Sequence, residues 1–582
     1  MTLTTPALPR TAPVPASRAP HPGFRWLVAV GWLAQVTLRV WAFWHARAPA
    51  AYPDEAGYLL AARWLAGRPG GDLSHLTFYQ GGYPLLLSPV YLVTADPETV
   101  YRLVTGIGAI TGATVFPLSV AILRRLDLAP SAAAAIAFAV ASLPANLFFG
   151  AWALTDAILP AVVMAWLLAL IRFADAGHSR SGSVASLAAA YAYAVHSRGI
   201  VILLIHAGVL LLLLVRGWTP RRVTTLAAAV MVAMWAGANR LNTLLLHALY
   251  PHGARDLSGV LSSRLTSTSG LLRTLSGACG QIWYLTTSTY GLAGLGLVAA
   301  LVQVLSPRAD RTLRLVAGAA VTVTVGIALA STAALPDEHR VGNHAYGRYL
   351  ACVAVPLTLA AAAFLIRAGR RGLCAAALAT AGVMAGTALA VVAYAGPRLH
   401  EDTFVGFDFP EIIYLTANRH SLDLLTAGLV AGAIGVCVVL LRAWPTCVAA
   451  VLLVVNGGFL VRTTGTFDRP ANDRPAVTRD RGVEVSPSLG WGTVADLRYR
   501  VGWTTVEWLS PAGPRPGTCT VVTAWHAGAT TAAWPDHPAG WKVTDREPGR
   551  WVAWHDTRCR HLVAGSRLAR RWRGTAFQAT PG

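Results

Sequence analysis

Lysine is all but absent: Lys542 is the only one in 582 residues, and the other 47 of the 48 Lys and Arg are arginine. Acids are scarce too, at 27 Asp and Glu, so the formal net charge is +21. With 13% charged and 54% apolar residues and a mean hydropathy of +0.50, the composition excludes an ordinary soluble enzyme and matches a polytopic membrane protein. No G-x-x-x-x-G-K-[ST] loop, no G-x-G-x-x-G after a strand and no H-E-x-x-H pair occurs, which removes the obvious nucleotide-binding and zinc-protease readings. Many arginines lie in short connections between apolar runs, where they set the orientation of a membrane chain. The positive charge therefore does not point to nucleic acid. Of seven cysteines, Cys279, Cys352, Cys374, Cys437 and Cys447 lie in or beside apolar runs and read as small buried residues. Cys519 and Cys559 stand alone in the polar C-terminal stretch, and a disulfide between them is reasonable if that stretch is outside the cell.

What the sequence does have is long apolar runs. They cover residues 24–44, 100–123, 131–149, 156–172, 183–215, 223–246, 281–305, 313–334, 349–367, 373–395, 421–441 and 445–461. His196-Ser197-Arg198 interrupts the long run 183–215, which is taken as two spans. The expectation is an all-α polytopic protein of about 13 transmembrane helices. Residues 1–22, rich in Pro and Ala, read as a disordered cytoplasmic tail with no cleavable apolar region. With that end inside, the short Arg-bearing loops at Arg124-Arg125, Arg172 and Arg180, Arg216 to Arg222, Arg308 to Arg314 and Arg370-Arg371 are cytoplasmic. The longer segments 45–98, 248–280 and 397–420 then lie outside, as does the C-terminal region.

Beyond residue 461 the composition shifts to Pro, Gly, Arg, Asp and Trp, and nine of the twenty Trp fall there. Candidate strands at 518–525 and 550–554 predict a small extracytoplasmic β-rich domain over 462–582, its Trp mostly core, with a sugar-binding platform as the lesser reading. The outer stretch 248–280 spaces its leucines as an interfacial helix pair does.

Acids in the apolar part are few enough for their positions to matter. Asp54 and Glu55 follow the first run in Tyr52-Pro53-Asp54-Glu55-Ala56-Gly57-Tyr58. Pro53 suits a helix edge, so Asp54 can serve as N-cap of a helix through residue 65. A carboxylate at the membrane surface can equally take a proton from an acceptor hydroxyl. Asp156 in Thr155-Asp156 heads a later span, where an acid is costly unless solvated or functional. It too is either a cap or a site residue. Matching cations are Arg198, which with His196 breaks a span, and Arg348 in Gly347-Arg348-Tyr349. A guanidinium there can hold a phosphate bidentately or reach lipid headgroups, and Tyr349 can add a hydroxyl. His339 and His344 are candidate substrate contacts, as is Tyr58, or metal ligands with Asp54; their spacing is not a metal signature, and a divalent metal is left open.

The ordered set Tyr52-Pro53-Asp54-Glu55-x-x-Tyr58, Tyr83-Pro84 opening a short in-plane helix, Thr155-Asp156 and Gly347-Arg348-Tyr349 resembles the GT-C membrane glycosyltransferases. The likeness is to the group of protein O-mannosyltransferases, aminoarabinose transferases and actinobacterial cell-wall glycosyltransferases, and covers residues 24–461. It implies a GT-C-like domain that moves a sugar from a polyprenyl-phosphate donor to an extracytoplasmic glycan, lipid or protein acceptor at the plasma membrane. In that likeness Asp54 is the general base with Glu55 beside it, Asp156 is the second acidic position, Arg348 and Tyr349 hold the donor phosphate, and Arg198 assists. A transporter or lipid flippase is the rival reading, but acids gathered toward one face and the lack of a repeated half argue against it. The arginine-for-lysine bias suggests a GC-rich bacterial genome, and an actinobacterium is expected.

Overall fold

The computed structural model describes residues 22–464, 474–479, 481–526 and 530–559. All of the expected N-terminal tail except Pro22 lies outside them. The described residues form two compact units: one of residues 22–44, 105–244 and 255–464, the other of 45–104, 245–254 and those from 474 onward.

The first unit is helical, and the chain is a multi-pass membrane protein. Among the described residues seven helices are long and apolar enough to cross a membrane, or nine if each of two bent pairs counts as one span. Every apolar run named above is helical, in one piece or two. The break at His196 to Arg198 stands where expected, between helices Ser179–Val195 and Gly199–Arg216. The run 281–305 is not one straight span. Helices Thr268–Ser288 and Leu292–Leu305 meet at 113°, because Tyr290 and Gly291 both take left-handed backbone, at φ 58° and 82°. That conformation is costly for Tyr, and it is held from outside. The buried Tyr290 hydroxyl donates to Asn456 Oδ1 at 3.0 Å, and Asn456 Nδ2 donates to the Ala139 carbonyl at 3.1 Å. The run 131–149 is likewise bent by 63° before Pro144, which starts a new helix.

Of the five cysteines expected to be buried, only Cys352 is; Cys374, Cys437 and Cys447 are exposed. They sit on outward faces of apolar helices, where lipid tolerates a small apolar side chain as well as a protein core does. The expected helix pair is present as Leu257–Leu265 and Thr268–Ser288, capped by Asp256 and Ser267, and its Leu265, Leu271, Leu272 and Leu275 are exposed.

The second unit combines the helix Asp54–Leu65, the short helices Gly82–Leu87 and Val90–Val93, and a five-stranded sheet. Its strands are β1 (Gly482–Val485), β2 (Val506–Trp508), β3 (Thr518–Ala524), β4 (Trp541–Glu547) and β5 (Trp551–Asp556), in the order β2-β1-β3-β5-β4. β1 is parallel to β2 and β3, whereas β5 is antiparallel to β3 and β4. A parallel pair needs a crossover, and the helix Trp491–Arg500 supplies it between β1 and β2. Trp541, Trp551 and Trp554 are core residues, while Trp491 and Trp508 are exposed. Cys519 and Cys559 are joined in a disulfide.

The C-terminal sheet does not hang free of the acidic helix. Arg63, 3% exposed, ends that helix and donates to four carbonyls: Pro69 at 2.6 Å, Gly70 at 2.9 Å, and Arg498 and Tyr499 at 3.0 Å each. The last two are end carbonyls of the Trp491–Arg500 helix, which lack helical partners of their own. Tyr499 Oη donates to the Pro97 carbonyl at 2.6 Å and Tyr52 Oη to Asp496 at 3.1 Å. Replacing Arg63 by Ala takes the donor from four carbonyls, the two on the Trp491–Arg500 helix buried, and should cost about 3 kcal/mol. Limited proteolysis of the purified protein should then cut the C-terminal region at least tenfold faster than in wild type; an unchanged cutting rate would show that Arg63 is dispensable.

Candidate functional site

In the second unit the acidic pair splits into two roles. Asp54 is not the N-cap: the helix begins at Asp54 itself, after Pro53, with no side-chain cap. Its carboxylate accepts from Tyr79 Oη at 3.2 Å and is half-buried. Glu55 is fully buried instead, taking the Ala50 and Ala51 N–H groups at 2.7 Å each and Tyr101 Oη at 2.7 Å. Being second in the helix, it reaches back to backbone donors and secures the helix entry. Of the two carboxylates, Asp54 is the one that is not fully buried.

Tyr79 is the residue the sequence reading did not single out here. It packs on Gly57, where a Cβ would fall into its ring, and its ring meets Tyr58 edge to face at 5.0 Å, with Tyr83 5.5 Å from Tyr58. Burial, then the Asp54 carboxylate, push the Tyr79 phenol well above its ordinary value, so it stays a donor toward Asp54. Tyr58, a candidate substrate contact, is 3% exposed and belongs to this ring cluster. The only clue in the sequence was Gly57 one turn before Leu60 and Ala61, which leaves the helix face open to a ring.

In the helical unit three breaks in the helices bring together three charges. Asp156 lies in the turn Thr155–Ala157, Arg198 between two helices and Arg348 in the turn Gly347–Leu350. Arg198 Nη2 donates to Asp156 Oδ1 at 2.5 Å and Arg348 Nε to Oδ2 at 2.9 Å, and all three are 5% exposed or less. Arg198 also donates to the Arg348 carbonyl at 3.1 Å, and Arg348 to Tyr346 Oη at 3.2 Å. The Arg198 guanidinium lies 5.5 Å over the Tyr349 ring, which His196 meets at 6.1 Å. Two guanidiniums converge on one carboxylate here. Such a group suits an anion, whereas an Asp156 engaged on both oxygens is a poor proton acceptor.

The loop carrying Arg348 is held by the segment 402–411. Val341 N donates to the Thr403 carbonyl and Thr403 N to that of His339, at 3.0 and 2.9 Å. Arg340 pairs with Asp408 at 3.4 Å, and His344 Nε2 with Asp402 at 2.9 Å. Burial lowers the His344 imidazole despite Asp402, and His339 is exposed. Among the described residues no group of three or more His, Cys, Asp or Glu stands close enough to hold a metal. Farther along, Glu411 is buried, accepts from Tyr284 Oη at 2.5 Å, and is pushed up by burial to about 7.

No family model and no curated protein matches the chain in sequence. Solved structures do match it in shape. The crystal structure of ArnT from Cupriavidus metallidurans bound to undecaprenyl phosphate superposes with a TM-score of 0.54 at 16% identity, over 92% of this chain and 97% of that one. Its apo form gives 0.52 at 15% over the same shares. The archaeal oligosaccharyltransferase AglB from Archaeoglobus fulgidus gives 0.43 at 11%, over 86% of this chain and 69% of that one. The chain therefore has the fold of ArnT, the GT-C fold that its motifs resemble.

Asp156→Asn takes the shared negative charge from two buried guanidiniums, so it should destabilise the helical unit by about 3–5 kcal/mol. Asp54→Asn should change stability by less than about 1 kcal/mol; thermal unfolding in detergent compares the two. Glu411 carries a pH dependence of its own. Its value rises from 4.5 to about 7 on folding, so the stability it contributes is full below about pH 4.5 and is lost as pH rises through about 7. Glu411→Gln should remove that slope, worth a few kcal/mol at most, and unfold later than wild type at pH 8 relative to pH 5.

Proposed function

We propose that the protein is a membrane glycosyltransferase that moves a sugar from a polyprenyl-phosphate donor to an extracytoplasmic glycan, lipid or protein acceptor. The observation that carries this reading is the pair of buried guanidiniums, Arg198 and Arg348, converging on Asp156, in a chain with the fold of a protein whose structure holds undecaprenyl phosphate. In this reading Arg348 and Arg198 take the donor phosphate and stabilise the charge that gathers on it as the sugar leaves. Asp156 is their counterion and keeps the two forks parked. Tyr349 lines the same place with its ring and hydroxyl.

Asp54 takes the proton from the acceptor hydroxyl in this reading. It is half-buried, and Tyr79 orients it by one hydrogen bond. Glu55 holds the helix that presents it. In this reading donor and acceptor are handled on the extracytoplasmic face, and the C-terminal region is an extracytoplasmic domain.

Transfer of radiolabelled sugar from membrane-extracted polyprenyl-phosphate donors by the purified protein tests this. Asp54→Asn should lose about 10²-fold or more in turnover with donor binding retained, and Arg348→Ala should raise the donor KM. If wild type consumes no donor, or both folded variants turn over as wild type does, the transferase reading is wrong.

A further inference from the structure

Arg348 can meet Asp156 only if its turn is set at the right height, and the turn Gly347–Leu350 rests on an aromatic ring. A Cβ on Gly347 would fall inside the ring of Tyr284, so glycine is required for the turn to settle there. Tyr284 stands on the helix Thr268–Ser288, at the end of one face formed by Gly277, Gly280 and Tyr284, three and then four residues apart. The two glycines bring that helix close. A Cβ on Gly277 would strike Thr332, and one on Gly280 the carbonyl of His344 in the Arg348 loop. Two residues without side chains are thus followed by one large ring, which is the surface that the turn meets.

The ring is itself fixed. Tyr284 is 2% exposed, and its hydroxyl donates to Glu411 Oε2 at 2.5 Å, across 127 residues of sequence. Glu411 is 2% exposed, and its other oxygen, Oε1, is buried without a hydrogen-bond partner among the described residues. A buried carboxyl half satisfied costs free energy that an apolar side chain would not. Stability alone gives no reason for it. What the carboxyl does supply is a single direction for the phenol, and thereby a single tilt for the ring under Gly347.

We propose that Tyr284, oriented by Glu411, is a positioning residue: it sets the Gly347–Arg348 turn so that the Arg348 guanidinium is presented to the donor phosphate. The proposal rests on the reading of Arg348 as a phosphate ligand. Nothing in it requires Tyr284 or Glu411 to touch substrate.

The test is a double-mutant cycle on the purified full chain, with undecaprenyl phosphate in detergent micelles as the probe and binding followed by thermophoresis at one pH. Tyr284→Phe keeps the ring and loses its anchor, and should weaken binding about 3- to 10-fold. Glu411→Leu should do the same, and Glu411→Gln, whose amide oxygen still accepts from the phenol, should recover most of that loss. Arg348→Ala should weaken binding more than about tenfold, and adding Tyr284→Phe to it should cost nothing further, because the ring acts only through Arg348. Should Tyr284→Phe fail to fold, Glu411→Leu completes the same cycle. Wild-type affinity in Tyr284→Phe, or an equal loss with and without Arg348, overturns the proposal. Wild-type affinity in Arg348→Ala instead overturns the phosphate reading beneath it, and the two failures are told apart by that variant alone.

Discussion

One carboxylate between two guanidiniums governs the helical unit. Asp156, Arg198 and Arg348 come from three distant parts of the chain, each from a place where a helix stops. A lone charge so deeply buried would be prohibitive. Asp156 makes two of them tolerable at once, and in doing so pins three helix breaks to one point. The helices can be interrupted there because the freed polar groups find partners in the cluster, as in the Arg198 bond to the Arg348 carbonyl.

Elsewhere the same problem is solved with arginine and backbone alone. Arg39 reaches the carbonyls of Ala141 and Asn146 at the bend before Pro144, Arg442 those of Leu365 and Ala368, and Arg63 four carbonyls in the other unit. Apart from the loop carbonyls of Pro69 and Gly70, these are carbonyls left over near where helices end. A planar fork of five donors serves several of them together, which a lysine cannot do. The near absence of lysine thus has a structural use beyond orienting the chain in a membrane.

Much of this was legible in the amino-acid order, and the limits have a physical pattern. Apolar runs located the helices, because lipid and core both demand them, and His196 to Arg198 marked a break because three polar residues cannot continue such a run. Pro144 could have marked another. Tyr290 could not: a non-glycine residue in left-handed backbone is held by Asn456, far off in sequence. Asp54, Asp156, Arg198 and Arg348 stood out as candidates because charges are rare in apolar surroundings. Their division of labour was not, since whether Glu55 turns inward to the Ala50 and Ala51 amides, or Asp156 is taken by two arginines, depends on contacts that no local pattern carries. Arg63 escaped notice for the same reason, and so did the helix Trp491–Arg500, whose ten residues sit in a stretch otherwise read as strands.

A transferase needs a place where negative charge is welcome and a base beside the hydroxyl it activates. In the proposed reading the Arg198–Asp156–Arg348 cluster supplies the first and Asp54 with Tyr79 the second, each built by its own unit from long-range contacts. The most direct test of the central claim is to locate the phosphate itself, by cryo-electron microscopy of the purified protein with undecaprenyl phosphate. The account predicts phosphate density within hydrogen-bond reach of the Arg348 and Arg198 guanidiniums, with Asp156 still between them. Phosphate bound elsewhere, with that cluster unoccupied, would contradict it.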